Sequence, residues 1–126
     1  MDTIGETHII VRIRKIPEDE NFEEVKLLVD TGATYSWINK RILEKLKIEP
    51  IGKKKFKTIS GTIIERKVGY VFVEYDNEAA PTVVVFAEDG DAQFFGLHGM
   101  ESLGLEVDPV TRQIRKSEAL LAFNTI

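Results

Sequence analysis

The sequence contains no cysteine and few histidines, and these shortages exclude several classes of chemistry. Without cysteine there is no disulfide framework, no thiolate zinc site and no cysteine nucleophile. The two histidines, His8 and His98, lie far apart in the sequence, which argues against a metal site built from both. We therefore expect no metal and no other cofactor.

Long hydrophobic runs and an excess of basic residues are also missing. No apolar stretch approaches the length of a membrane span, and residues 1–6 lack the basic end and apolar core of a secretory signal. The net charge is −4, with acidic and basic residues interspersed, so no basic stripe would attract a phosphate backbone. These observations predict a cytoplasmic protein that has neither nucleic acid nor a membrane as a partner.

What the sequence does contain suits one mostly β domain. With 126 residues, 43% of them hydrophobic, the chain can form a single domain with one core over residues 1–126. Apolar residues alternate over residues 9–13 and 25–29, which predicts a β-hairpin. Strand-favouring residues resume at 35–38, and Asn39 can cap a short helix after them.

The second half of the chain continues the pattern of short strands. Residues 55–59 and 62–75 have strand-like sequences joined at Ser60 and Gly61, which predicts a long projecting hairpin. The apolar run at 82–86 is typical of a strand that is covered on both faces. The remaining predicted elements are a short helix stopped by Gly104 and two closing strands, at residues 98–103, 106–108 and from 114 onward. Together they predict an all-β closed barrel with one or two short helices.

Asp30 is the acidic residue with the most unusual surroundings. It follows the apolar residues Leu28 and Val29 and precedes Thr31 and Gly32. Burial at the end of such a strand would favour the protonated carboxyl, whereas backbone N–H groups in a glycine turn would favour the ionised form. The group is therefore suited to act as an acid or as a base. Taken alone, the sequence Asp-Thr-Gly fits an ordinary turn equally well.

The wider pattern favours a catalytic role for Asp30. An Asp-Thr-Gly-Ala segment after two apolar residues, a glycine-tipped hairpin, and the apolar pair before Gly96 occur in the order seen in aspartic peptidases. The chain resembles the retropepsin-like family of these enzymes over nearly its whole length. Segments 30–35, 61–66 and 103–111 are more narrowly similar to a group of small prokaryotic members of the family.

The resemblance implies a mechanism, a peptide or protein substrate, and a set of site residues. In such peptidases two aspartates share one proton across a bound water, which attacks the peptide carbonyl. The chain has a single Asp-Thr-Gly, so the implied protein is a homodimer with both copies of Asp30 on its axis. The implied site residues are the catalytic Asp30; the active-site loop Thr31, Gly32 and Ala33; the flap Ile59, Ser60, Gly61 and Thr62; and the psi-loop Phe95 and Gly96.

Two positions depart from the retroviral members of the family. Those enzymes commonly have an acid where this chain has Thr34 and an arginine where it has Leu97, and the two charges pair to brace the dimer. Losing both costs less than leaving one charge unpaired and partly buried. We expect a differently braced dimer, in which Ile4 and the apolar stretch 119–123 either interleave between subunits or pack within one.

Three functions remain open on the sequence. The first is peptide-bond hydrolysis, the second is a dimerisation or peptide-binding module of the same fold without turnover, and the third is a small ligand-binding barrel that lacks a dyad. Two features bear on the substrate. Trp37 is expected in the core or in a pocket wall. The lysines at 53–55 are expected on a solvated strand edge, or at a cleft mouth where they would favour acidic substrates.

Overall fold

The computed structural model describes residues 6–118, and strands joined by tight turns make up most of it. The strands are β1 (His8–Arg14), β2 (Glu23–Val29), β3 (Ser36–Asn39), β4 (Gly52–Lys57), β5 (Ile63–Tyr75), β6 (Glu78–Ala87), β7 (Phe94–Phe95), β8 (Leu105–Val107) and β9 (Ile114–Lys116). The helices of this part of the chain are α1 (Lys40–Lys45) and α2 (Leu97–Ser102). Within residues 6–118, no helix is long and apolar enough to span a membrane.

The main sheet closes on itself. Because β1 pairs with both β2 and β5, the order β1-β2-β7-β3-β6-β5 returns to its first strand, while β4 extends the sheet as an edge beyond β5. The pairs β2–β7 and β3–β6 are parallel, and the other pairs in this sheet are antiparallel. The predicted all-β closed barrel with short helices is confirmed. Strands β8 and β9 form a separate hairpin.

The apolar core lies inside this ring of strands. In β1 the alternation predicted from the sequence is confirmed, since Ile9, Val11 and Ile13 are buried while Ile10 is 52% exposed. In β6, Val84 and Val85 are both fully buried, as expected for a strand that is covered on both faces. Each such side chain stabilises the fold by about 1.5–3 kcal/mol relative to an exposed one.

Local signals set the ends of the helices. The Asn39 side chain accepts a hydrogen bond from the Arg41 backbone N–H at 2.8 Å, which confirms the predicted cap of α1. Leu43 is fully buried and packs α1 against the core. At the other helix, Gly104 has φ +67° just beyond α2, where glycine permits the left-handed conformation that ends a helix.

The projecting hairpin is present with different bounds from those predicted. Strand β4 begins at Gly52, earlier than expected, and ends at Lys57. It ends there because Thr58 N–H donates to the Thr62 carbonyl at 2.8 Å and Gly61 N–H donates to the Thr58 carbonyl at 2.9 Å, which closes a tight turn. The tip is therefore residues 58–62. The terminal segments for which a role in the dimer was considered, Ile4 and 119–123, lie outside the described residues.

Candidate active site

Asp30 lies in the loop between β2 and β3, with its main chain and side chain both held. Its N–H donates to the Phe95 carbonyl at 2.9 Å, and its carbonyl accepts from the Ala33 N–H at 3.1 Å. The Gly32 N–H donates to Asp30 Oδ1 at 3.0 Å. A Cβ at Gly32 would lie only 3.2 Å from that oxygen, so glycine allows the carboxylate to approach its own turn.

The Asp30 side chain itself is exposed to solvent in the single chain. The expectation that the end of β2 would partly bury the carboxylate is therefore wrong for one copy. The physical reason is that only Leu27 of this strand is fully buried, while Val29 next to the loop is half-buried. Thr31 and Gly32 are exposed as well, so the loop presents an open surface.

Strand β7 supports the Asp30 loop from behind. It lies between β2 and β3, pairing in parallel with the first and antiparallel with the second. Directly after it, Leu97 N–H donates to the Ala33 carbonyl at 2.8 Å, and His98 N–H donates to the Thr34 carbonyl at 3.0 Å. The loop therefore has backbone hydrogen bonds to the segment that joins β7 to α2.

Gly96 sits where the two segments touch. A Cβ at this position would lie 2.6 Å from both the carbonyl carbon and the carbonyl oxygen of Tyr35, and 3.0 Å from the Ala33 carbonyl oxygen. Its N–H donates to the buried Ser36 Oγ at 2.9 Å. Since the obstructing atoms are backbone, no other residue fits without moving the Asp30 loop.

A cleft of about 940 Å³ separates the Asp30 loop from the β4–β5 hairpin. Its size is within the usual range for ligand sites, and several of its lining side chains are aromatic. The Trp37 ring packs edge-on against Phe56 of the hairpin, with centroids 5.0 Å apart, and lies 5.9 Å from Phe94. This confirms Trp37 as part of a pocket wall.

The cleft brings together residues from two of the three predicted site segments. Those that line it are Asp30, Gly32, Ala33, Ile59 and Ser60. The remaining predicted residues do not line it: Thr31 is exposed beside it, Gly61 and Thr62 lie at the hairpin tip, Phe95 is fully buried in the core, and Gly96 lies behind the loop.

The positions that depart from the retroviral pattern also lie beside the loop. Thr34 lines the cleft, and Leu97 is 38% exposed at the start of α2. His98, next to it, is exposed and its ring packs edge-on against Tyr35 at 5.3 Å. The lysines at 53–55 are exposed and do not line the cleft, which favours the solvated strand edge over the cleft mouth.

An ion pair that the sequence did not predict lies at the rim of the cleft. The Arg66 guanidinium donates from Nε to Asp91 Oδ2 at 2.7 Å and from Nη2 to Asp91 Oδ1 at 2.9 Å. The Glu88 N–H adds a third donor to this carboxylate at 2.8 Å. The hydrogen bonds from Arg66 hold the pKa of Asp91 below its ordinary value, although burial opposes them.

Other site residues were missed for identifiable reasons. Ser36 is 1% exposed and accepts a hydrogen bond from the Gly96 N–H. The sequence indicated its burial only by its place two positions before the apolar Ile38, on the same face of the strand. Arg66 and Asp91 are 25 positions apart, and nothing local indicates that they meet. Phe56 appeared only as one apolar residue within a basic strand.

Comparison with known families agrees with this geometry. The family described as aspartyl protease matches residues 18–107, a range that contains the Asp30 loop, the hairpin and β7. No curated protein matches the chain. Because the family match covers well over half of the sequence, the chain belongs to the aspartyl protease family, within its retropepsin-like clan.

Proposed function

We propose that this chain is a single-domain aspartic endopeptidase that works as a homodimer, with Asp30 of each copy supplying one carboxylate of the catalytic pair. The observation that carries the proposal is the position of Asp30 on the wall of the cleft, opposite the hairpin and in a glycine turn. Membership of the aspartyl protease family supports the same chemistry.

The second carboxylate has to come from elsewhere. Asp91 lines the same cleft, but both its oxygens accept hydrogen bonds from Arg66, and Oδ2 also accepts from the Glu88 N–H. A carboxylate engaged in this way stays ionised and is not free to share a proton with Asp30. Since the Asp30 loop is open to solvent, a two-fold axis beside it would bring the two copies of Asp30 together.

In such a pair the close approach of two carboxylates favours a state in which they hold one proton between them. The ionised carboxylate accepts a proton from a water that attacks the peptide carbonyl. The protonated carboxylate donates to the carbonyl oxygen as negative charge develops there. The Gly32 N–H donates to Asp30 Oδ1 and keeps that side chain in position.

The hairpin would act as the flap over the substrate. An extended peptide in the cleft would lie between the Asp30 loop and the tip residues Ile59 and Ser60, which both line it. Main-chain hydrogen bonds would bind the peptide as an added strand. The aromatic wall formed by Trp37, Phe56 and Phe94 would accept a large apolar side chain of the substrate.

Substitution of the proposed catalytic residue is the direct test. Purified protein should cleave a denatured protein such as casein, and Asp30→Asn should abolish cleavage. Asp76→Asn is the matched control, because it also removes one exposed carboxylate, whose ion pair in the described part of the chain is with Lys116 at 4.0 Å. Cleavage by Asp30→Asn at the wild-type rate would refute the proposal. Binding of peptide without products, in both wild type and variant, would favour the non-catalytic module.

Mixing the two forms tests the dimer. If each active dimer needs both copies of Asp30, equal amounts of wild type and Asp30→Asn that exchange freely leave about a quarter of the dimers intact. The activity then falls to about half that of the same amount of wild type alone, and it falls further with more variant. Activity that stays constant across the titration would show that one chain is sufficient.

A further inference from the structure

The Arg66–Asp91 pair joins the flap hairpin to the rest of the molecule at the point where the hairpin leaves the barrel. Beyond Arg66 toward the barrel, β5 enters the core through Val68 and Val71, which are 4% and 0% exposed. In the other direction, β5 runs through the half-buried Ile64 to the tip. Strand pairing places Arg66 opposite Lys54 and Ile64 opposite Phe56, so Arg66 shares the cleft-facing side of the hairpin with Phe56.

Asp91 lies in the loop between β6 and β7, and other residues of this loop make ion pairs and a hydrogen bond to the end of β3 and to α1. Glu88 pairs with Lys40 of α1, and Asp89 pairs with Arg41 one residue along the same helix. The Asn39 N–H donates to the Gln93 side chain at 2.8 Å, on the far side of Asp91. The loop that contains Asp91 is thus tied to the end of β3, the strand that directly follows the Asp30 loop.

We infer that Arg66 and Asp91 are positioning residues, which anchor the base of the flap so that its tip lies over Asp30. The inference rests on the proposed function for its effect on catalysis. The anchoring itself follows from the contacts. The guanidinium makes two parallel hydrogen bonds, with side-chain exposures of only 19% for Arg66 and 16% for Asp91. Paired and largely screened from water, such an interaction is stronger than an exposed ion pair.

The consequence for the reaction is specific. Removing the pair leaves the Asp30 loop, its hydrogen bonds and the β7 support unchanged, since neither Arg66 nor Asp91 contacts them through a hydrogen bond in the described residues. What changes is how well the hairpin is held over bound peptide. Loss of anchoring should therefore weaken substrate binding more than it slows the chemical step.

The test compares Asp91→Asn and Arg66→Lys with the control Glu65→Gln. Glu65 neighbours Arg66 on the opposite side of the hairpin, and within residues 6–118 its ion pair is with Lys53 at 4.0 Å. Two readouts need no enzymatic activity. Trp37 is the single tryptophan and packs against Phe56, so acrylamide quenching of its fluorescence reports separation of the hairpin from the barrel. Trypsin cleavage after the lysines of β4 reports opening of the hairpin.

Asp91→Asn should raise both the quenching constant and the rate of tryptic cleavage in β4 several-fold, with Glu65→Gln equal to wild type. On a peptide substrate its KM should rise about tenfold while kcat changes less than about twofold. Arg66→Lys should be intermediate, because an ammonium cannot make both parallel bonds. Quenching and tryptic rates equal to wild type in folded Asp91→Asn would overturn the inference, even if the protein cleaves no substrate.

The charge-swapped protein, Arg66→Asp with Asp91→Arg, separates anchoring from general damage. If the pair anchors the hairpin, the double variant regains at least part of the wild-type protection from trypsin that each single change loses. A folded double variant that is as open as Asp91→Asn would count against the inference. If Asp91→Asn does not fold, quenching and tryptic cleavage are compared between wild type, Arg66→Lys and the double variant. A folded Arg66→Lys that equals wild type in both measurements would then overturn the inference.

Discussion

Gly96→Ala tests the contact that supports the Asp30 loop. The new Cβ would be placed 2.6 Å from the Tyr35 carbonyl carbon and oxygen, which are backbone atoms and cannot rotate away. Forcing a methyl group into a packed site costs about 1–3 kcal/mol. The shift also strains the hydrogen bond from Gly96 to Ser36, which contributes about 0.5–1.5 kcal/mol. Alanine offsets about 0.4–1 kcal/mol of this by restricting the unfolded chain.

The free energy of unfolding should therefore fall by about 1–3 kcal/mol. With a urea dependence of roughly 2 kcal/mol per molar, the midpoint of unfolding should move down by about 0.5–1.5 M. The measurement is a urea titration at one fixed protein concentration, because the stability of the proposed dimer would depend on concentration. An unchanged slope of the transition would show that the surface exposed on unfolding is the same as in wild type, so that the shift in midpoint reports a change in stability.

Gly52→Ala is the matched control for this experiment. It is the same substitution in the edge strand β4, where a Cβ would meet no atom within 4 Å and φ is not positive. Its midpoint should equal that of wild type or be slightly higher. If Gly96→Ala unfolds at the same urea concentration as Gly52→Ala, the close approach of Gly96 to Tyr35 does not limit the fold, and Gly96 is not required for support of the Asp30 loop.

Three further outcomes are expected. Ser36→Ala leaves the buried Gly96 N–H without its acceptor and should lower stability by about 1–3 kcal/mol in chemical denaturation, whereas Ser102→Ala on the exposed face of α2 should not. Asn39→Ala removes the cap of α1 and should cost about 1 kcal/mol by the same measurement. Folding lowers the pKa of Asp91, so the ionised Asp91 side chain stabilises the fold fully above its ordinary pKa of 3.8. This stabilisation is lost as the pH falls through the lower pKa that Asp91 has in the folded state. The stability difference between wild type and Asp91→Asn should thus shrink below pH 3.8, and a difference that is constant into strong acid would contradict this assignment.

The elements that the sequence predicted correctly are those with local causes. Alternating apolar residues placed the β1–β2 hairpin, Asn39 placed the start of α1, and Gly104 placed the end of α2. These signals act over a few residues, since they depend on backbone conformation and on which side chains face the same way. The predicted bounds of the β4–β5 hairpin were wrong, because its turn is set by hydrogen bonds across residues 58–62 and not by the strand preferences on either side.

The sequence by itself identified the candidate catalytic residue, because the Asp30 segment, a glycine-tipped hairpin and the apolar pair before Gly96 follow one another in the order seen in aspartic peptidases. The Asp-Thr-Gly segment alone fits an ordinary turn equally well. Tertiary structure alone decided what surrounds that residue. The parallel pairing of β7 with β2 places Gly96 against the loop, and the antiparallel pairing of β5 with β6 brings Arg66 to Asp91 across 25 positions. Such contacts depend on which strands pair and in which register, and no short segment of the sequence specifies that pairing. The exposure of Asp30 is likewise decided by tertiary packing. Strand β2 is apolar in sequence, but Leu27 is its one fully buried residue, so the Asp30 carboxylate at its end is exposed to solvent.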